Sequence, residues 1–111
     1  MVSLTFVHTK EFDKQWNLLK LDDECLRTLQ NELMNNPRKG DVIQGTNGVR
    51  KIRINFPNRG KRGSGRVCYV NFLECDSIYL ITVYSKNEKS DLTPSEKSHI
   101  SEIVTDIESN L

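Results

Sequence analysis

Two apolar runs joined by a short connection constrain the fold of this sequence more than any other feature. Residues 66–74 and 78–84 are nearly continuous in apolar side chains, many of them β-branched or aromatic. Such runs are typical of strands in the middle of a sheet that is covered on much of both faces. Because residues 74–77 make only a short connection, the two strands are predicted to form an antiparallel hairpin.

The first third of the chain predicts one strand and two helices. Residues 3–8 alternate in polarity, as a strand does. Thr9 fits a helix N-cap and precedes an apolar stripe at helical spacing, formed by Phe12, Trp16 and Leu19. Asp22 begins a second helix with an acidic first turn, and Pro37 ends it because the residue before a proline avoids the helical region.

A further strand, over residues 49–55, has two different faces. Ile52 and Ile54 point one way, whereas Lys51 and Arg53 point the other. The glycine-rich residues 57–65 then predict an irregular connection to the hairpin.

The clearest local signal lies near the end of the chain. Thr93, Pro94 and Glu96 offer a threonine cap, a proline at the first helical position and a glutamate three residues after the cap. The order of elements is therefore β-α-α-β-β-β-α. This order predicts an α+β fold in one domain over residues 1–111, with a mainly antiparallel sheet and the helices packed on one face.

Positive charge is concentrated in the middle of the chain. Residues 38–66 carry nine basic residues against one acidic residue, although the whole chain has a net charge of only +1. A solvated basic loop without a ligand would also produce such a run. However, the charges are spread over a strand and a loop with intervening glycines, and this distribution favours a polyanionic partner.

The cysteine count and the hydropathy indicate a cytoplasmic protein. Three cysteines without a CxxC spacing are typical of reduced thiols, and they predict neither a disulfide framework nor a zinc site. No run approaches the roughly 20 apolar residues that a membrane span needs, and the first residues do not resemble a signal peptide.

Familiar catalytic motifs are missing, and what remains is a set of cations with one phenol. The sequence has no GxSxG, Walker loop or HExxH motif, and its two histidines are far apart. The acidic residues lie mainly on predicted helices, so neither metal-dependent hydrolysis nor any other cofactor is expected. RNA cleavage by its own 2′-hydroxyl needs proton transfer and neutralisation of the phosphate, for which arginine, lysine and tyrosine are suited.

Three motifs in register closely resemble the HigB-type toxins of the RelE/ParE superfamily. They are GDVIQGTNGVRKIR at residues 40–53, GKRGSGRV at residues 60–67 and YSKNEKSDL at residues 84–92. The resemblance implies a type II toxin that cleaves mRNA in the ribosomal A site. It also implies that a HigA-like antitoxin with a helix-turn-helix domain neutralises the toxin.

The resemblance also suggests roles for particular residues. We expect Arg66 to hold the transition-state phosphate, and Tyr84 and Lys86 to transfer protons or orient a nucleotide. The residues expected to bind mRNA or ribosomal RNA are Arg50, Lys51, Arg53, Lys61, Arg62 and Asn87.

Several alternatives stay open at this point. Tyr84 could simply close the core at a strand end, and Arg50 shares the parity of the apolar Ile52 and Ile54. ParE-like relatives on the same fold inhibit DNA gyrase without cleaving RNA, which is the second functional hypothesis. A module that binds RNA and never cleaves it is the third.

Overall fold

The computed structural model describes residues 3–57 and 63–111 as three helices and a five-stranded sheet. The strands are β1 (Thr5–His8), β2 (Asp41–Val42), β3 (Arg50–Asn55), β4 (Ser64–Phe72) and β5 (Ser77–Ser85). The helices are α1 (Lys10–Leu18), α2 (Asp23–Asn35) and α3 (Pro94–Ser109), and a short 3₁₀ turn, Leu73–Cys75, joins β4 to β5.

The sheet has the order β1-β5-β4-β3-β2 and is antiparallel except at one edge, where β1 runs parallel to β5. The predicted hairpin is confirmed as β4 and β5, and the α+β class with a mainly antiparallel sheet is confirmed as well. Strand β2 has no counterpart in the predicted order of elements. It consists of two residues that pair with Arg50 and Lys51, so its strand character comes from this pairing and not from its own sequence.

Side chains alternate along β4 between two separate apolar cores. Val67 and Tyr69 belong to the core that α1 and α2 cover, whereas Cys68 and Val70 belong to the core that α3 covers through Ile100 and Val104. Successive side chains of a strand point to opposite faces, so α3 packs on the face opposite α1 and α2. The expectation that all helices share one face is corrected accordingly.

A bulge changes the alternation along β5. Tyr69 pairs with Leu80 and Cys68 pairs with Thr82, so that Ile81 is an extra residue between them. A bulge leaves one residue unpaired and shifts the facing of every residue beyond it. Consequently Leu80 and Val83 both contribute to the core under α1 and α2, although they lie three positions apart, a spacing that puts side chains on opposite faces of a regular strand.

All three helices begin at the predicted caps. The Thr9 and Asp22 side chains accept hydrogen bonds from Phe12 N and Cys25 N. Thr93 and Glu96 form a complete capping box at the start of α3. In the described ranges no helix combines the length and the apolar composition of a membrane span, and Cys25, Cys68 and Cys75 are free thiols.

Tyr69 holds the connection between α2 and β2 against the sheet. Its ring is fully buried. Its hydroxyl donates to Pro37 O at 2.9 Å and accepts from Gly40 N at 3.0 Å. Both bonds join segments far apart in sequence, so this phenol fixes where β2 begins.

Replacing Tyr69 by phenylalanine should lower the free energy of unfolding by about 1–3 kcal/mol, because the buried Gly40 N loses its partner, whereas Pro37 O keeps a hydrogen bond from Asn71 Nδ2. Chemical denaturation measures the change. The matched control is Tyr79→Phe, since the Tyr79 hydroxyl makes no hydrogen bond with the described residues. Equal stability of the two variants would contradict the anchoring role of Tyr69.

Candidate active site

One row of side chains crosses the three central strands on the face that α3 covers. Arg53 of β3 pairs with Arg66 of β4, which in turn pairs with Tyr84 of β5. Directly opposed residues place their Cβ atoms about 4.5–5.5 Å apart, so the three side chains are neighbours. Lys51 lies on the same face, because it pairs with Cys68 of the α3-side core.

The cations of this row differ in exposure. The Arg53 side chain is exposed and that of Arg66 is half-buried. The Arg66 guanidinium donates from Nη1 to Gly65 O at 3.1 Å, and this bond orients the group. A Cβ atom on Gly65 would lie 2.6 Å from Phe56 Cζ, so only glycine lets the strand pass at this point.

Tyr84 is buried beside these cations. It is only 4% exposed, and its hydroxyl has no hydrogen-bond partner among residues 3–57 and 63–111. Burial, followed by the nearby Cys68 thiol and the Asp91 carboxylate, raises the pKa of Tyr84 to about 12, although Arg66 acts in the opposite direction. In this conformation the phenol is therefore neutral at pH 7 and closed to solvent.

Lys86 and Asn87 follow directly after β5, and both side chains are exposed. Backbone bonds fix the start of this segment: Lys86 N donates to Ser64 O at 3.1 Å, and Asn87 N donates to the Ser85 hydroxyl at 3.2 Å. The two residues are thus held at the same end of β4 and β5 as Arg66.

Sequence reasoning missed the acidic residues that meet the cations. Asp91 Oδ1 lies 3.9 Å from Lys51 Nζ. Glu96 Oε2 accepts a hydrogen bond from Lys89 Nζ, and this bond is the first cause of a lowered pKa of Glu96. Glu96 was recognised as a capping residue only, and Lys89 stood in the motif at residues 84–92 without an assigned role.

Arg50 does not join the row. Its guanidinium donates to Gly40 O at 2.7 Å and to Arg38 O at 3.2 Å, and its parity matches that of Ile52 on the opposite face. These bonds give Arg50 a structural contact with the segment before β2. Lys61 and Arg62 lie outside the described residues.

The described residues offer cations to a ligand and contain no group of three or more side chains suited to a metal ion. His8 Nδ1 lies 2.8 Å from Asp13 Oδ1 at the start of α1, and His99 is exposed on α3. Because arginine forks and lysine ammonium groups match phosphate oxygens, the row and its neighbours can bind a phosphodiester.

The comparison with protein families identifies the class. The family model described as the RelE toxin of the RelE/RelB toxin–antitoxin system matches residues 5–110. The chain therefore belongs to the RelE toxin family. A solved structure of a mutant of the E. coli toxin RelE in the free state is similar, with a TM-score of 0.54 and 19% identity over 81% of this chain and 90% of that chain. At this identity the likeness shows a shared fold.

The raised pKa of Tyr84 makes the stability depend on pH in the alkaline range. The phenol stays neutral in the fold up to about pH 12, whereas in the unfolded chain it ionises near its usual pKa of 10.0. Its contribution is thus fully present below pH 10 and is lost as the pH rises towards 12, by up to roughly 2–3 kcal/mol.

Tyr84→Phe should remove this part of the decline, as measured by the denaturation midpoint between pH 9 and about 11.5. The variant should be no less stable than the natural protein at pH 7, because it loses a buried hydroxyl without a partner. Cys68 and Tyr69 also have raised pKa values and contribute to the same alkaline decline. The contribution of Tyr84 is therefore the difference between the pH profiles of the natural protein and of Tyr84→Phe. Tyr79→Phe is the control. An unchanged pH profile in Tyr84→Phe would contradict the assignment.

Proposed function

We propose that this RelE-family toxin is a HigB-type, ribosome-dependent endoribonuclease that cleaves mRNA in the ribosomal A site. The observation that carries the proposal is the row formed by Arg53, Arg66 and Tyr84, with Lys51 beside it on the same face of the sheet. The row combines positive charge with a phenol at one end of three strands.

The reaction class follows from the chemistry of RNA. The 2′ oxygen loses its proton and attacks the neighbouring phosphorus, and the bond from phosphorus to the 5′ oxygen breaks. The products are a 2′,3′-cyclic phosphate and a free 5′-hydroxyl, so neither water nor a redox partner is consumed. Catalysis then requires stabilisation of the extra negative charge on phosphorus and proton transfer at two oxygens.

We assign the phosphate to Arg66. Its guanidinium is oriented by Gly65 O and stays partly accessible. Because it sits between Arg53 and Tyr84, it can meet two phosphate oxygens at the centre of the row.

Lys86 and Tyr84 are assigned to proton transfer or to orientation of the nucleotide. Lys86 is exposed at the same strand end, which supports a direct contact with RNA. Tyr84 is buried in this conformation, so a direct role requires that its hydroxyl become accessible. No metal ion is required by this scheme.

The remaining cations are assigned to binding. Arg53 of the row and the nearby Lys51 and Asn87 are proposed to contact mRNA or ribosomal RNA, together with Lys61 and Arg62 from the glycine-rich connection. Arg50 is retained in the proposal only as a peripheral contact, since its guanidinium is bonded to backbone carbonyls. We further propose a cytoplasmic setting and a HigA-like antitoxin with a helix-turn-helix domain.

Arg66→Ala should abolish growth arrest and lower cleavage by about 10²–10³-fold, because the transition-state charge loses its principal donor. Primer extension on an mRNA translated in a cell-free system measures the cuts. Arg27→Ala, which removes an exposed arginine from α2, should cleave normally. Thermal melting checks that both variants fold.

Full cleavage by Arg66→Ala would contradict the assignment of Arg66. Intact mRNA together with gyrase-linked DNA breaks would instead favour the ParE-like hypothesis. Cuts that do not depend on translating ribosomes would contradict the ribosomal setting while retaining the nuclease.

The double substitution of Lys51 and Arg53 by glutamine should weaken RNA binding and reduce the slope of log affinity against log salt by about 1–2, because each phosphate contact releases counterions. Titration of a labelled oligoribonucleotide at several salt concentrations measures the slope. Substitution of Lys10 and Lys14, two exposed lysines on α1, removes the same charge elsewhere and is the control. An equal slope in both variants would place the RNA on another surface.

A further inference from the structure

Residues 86–93, here called the cover segment, pass over Tyr84 on their way from β5 to α3. Lys89 Nζ of this segment lies 5.7 Å from the centroid of the Tyr84 ring. Near the end of the segment Leu92 is buried in the α3-side core, and Thr93 caps α3. Because the bond from Lys86 N to Ser64 O holds its start, the segment is anchored at both ends where it passes the phenol.

Two ion pairs hold the middle of the cover segment. Lys51 of β3 meets Asp91, and Lys89 meets Glu96 of α3. The four side chains are between 33% and 52% exposed. Partly exposed pairs of this kind are weak and exchange their partners readily.

Within the part of the chain that the structure describes, the buried hydroxyl of Tyr84 has no hydrogen-bond partner. A buried hydroxyl that makes no hydrogen bond is costly, and natural structures leave few of them unexplained. Arg66, the central cation of the row, is the direct neighbour of Tyr84 across the strands. A phosphate oxygen bound at Arg66 would therefore lie beside the phenol once the cover segment moved away.

We propose that RNA phosphates open the cover segment by replacing Asp91 and Glu96 as the counter-ions of Lys51 and Lys89. Lys89 is then a further phosphate-binding residue, and the exchange gives the Tyr84 hydroxyl a partner on the RNA. The identity of the anion rests on the proposed function. The two ion pairs Lys51–Asp91 and Lys89–Glu96, which hold the cover segment over Tyr84, are here called the clasp. The clasp itself rests on these contacts and on the buried phenol.

Nitration by tetranitromethane, followed by mass spectrometry of the peptides, tests the clasp without RNA. In the natural protein, Tyr84 should be as protected as the fully buried Tyr69 and less reactive than the partly exposed Tyr79. Asp91→Asn and Glu96→Gln should each increase the nitration of Tyr84. Glutamine preserves a capping box, so Glu96→Gln removes the charge while keeping the start of α3.

The matched control is Glu88→Gln, which removes one negative charge from the same segment at a residue that forms no ion pair with the described residues. It should leave the nitration of Tyr84 unchanged. Equal protection of Tyr84 in the natural protein, Asp91→Asn and Glu96→Gln would overturn the clasp. High reactivity of Tyr84 in the natural protein would overturn it as well.

Affinity for a 2′-O-methyl oligoribonucleotide, which the proposed reaction cannot cleave, tests the competition. Asp91→Asn and Glu96→Gln should each bind roughly two- to fivefold more tightly than Glu88→Gln, since a partly exposed ion pair no longer has to be broken. Equal affinities in all three variants would overturn the exchange. If no variant binds the oligoribonucleotide, the exchange is overturned, whereas the cleavage assay on translated mRNA still decides on the proposed function and nitration still decides on the clasp.

Discussion

The alternation of side chains along β4 is the constraint on which the rest of the structure depends. Val67 and Tyr69 serve the core under α1 and α2, and Cys68 and Val70 serve the core under α3. The four apolar side chains from Val67 to Val70 are thereby all buried, two on each face of the sheet. Arg66 lies two positions before Cys68, so the same alternation that buries Cys68 places Arg66, which is half-buried, on the face that α3 covers.

Elements of the fold can be predicted from the sequence where the interaction that forms them lies within the element itself. Thr9, Asp22 and Thr93 satisfy backbone groups within their own helices, so their positions were predictable from the chain alone. Strand β2 was not predictable, since two residues become a strand only by pairing with β3. The stripe of α3 predicts that one side is buried but not which face of the sheet buries it. The apolar hairpin is predicted to be covered on both faces, and this prediction already indicates that the helices lie on both sides of the sheet.

Of the candidate site, only the features that depend on a single strand could be predicted from the sequence. Parity placed Lys51 and Arg53 on one face of a strand, and Arg50 on the other. The alignment of Arg53, Arg66 and Tyr84 needs the register of three strands, which no spacing within one strand provides. Asp91 and Glu96 act on the site through ion pairs across the fold, and such pairs depend on how a loop returns over the sheet.

The bulge at Ile81 decides which face of the sheet the Tyr84 side chain points to. In a strand without it, Tyr84 would have the same facing as Leu80 and would point towards α1, with no arginine opposite. By absorbing Ile81, the bulge therefore keeps the aromatic group of Tyr84 on the face that carries the cations. Regular pairing of the same nine residues of β5 would therefore keep every strand in place and still part Tyr84 from Arg66.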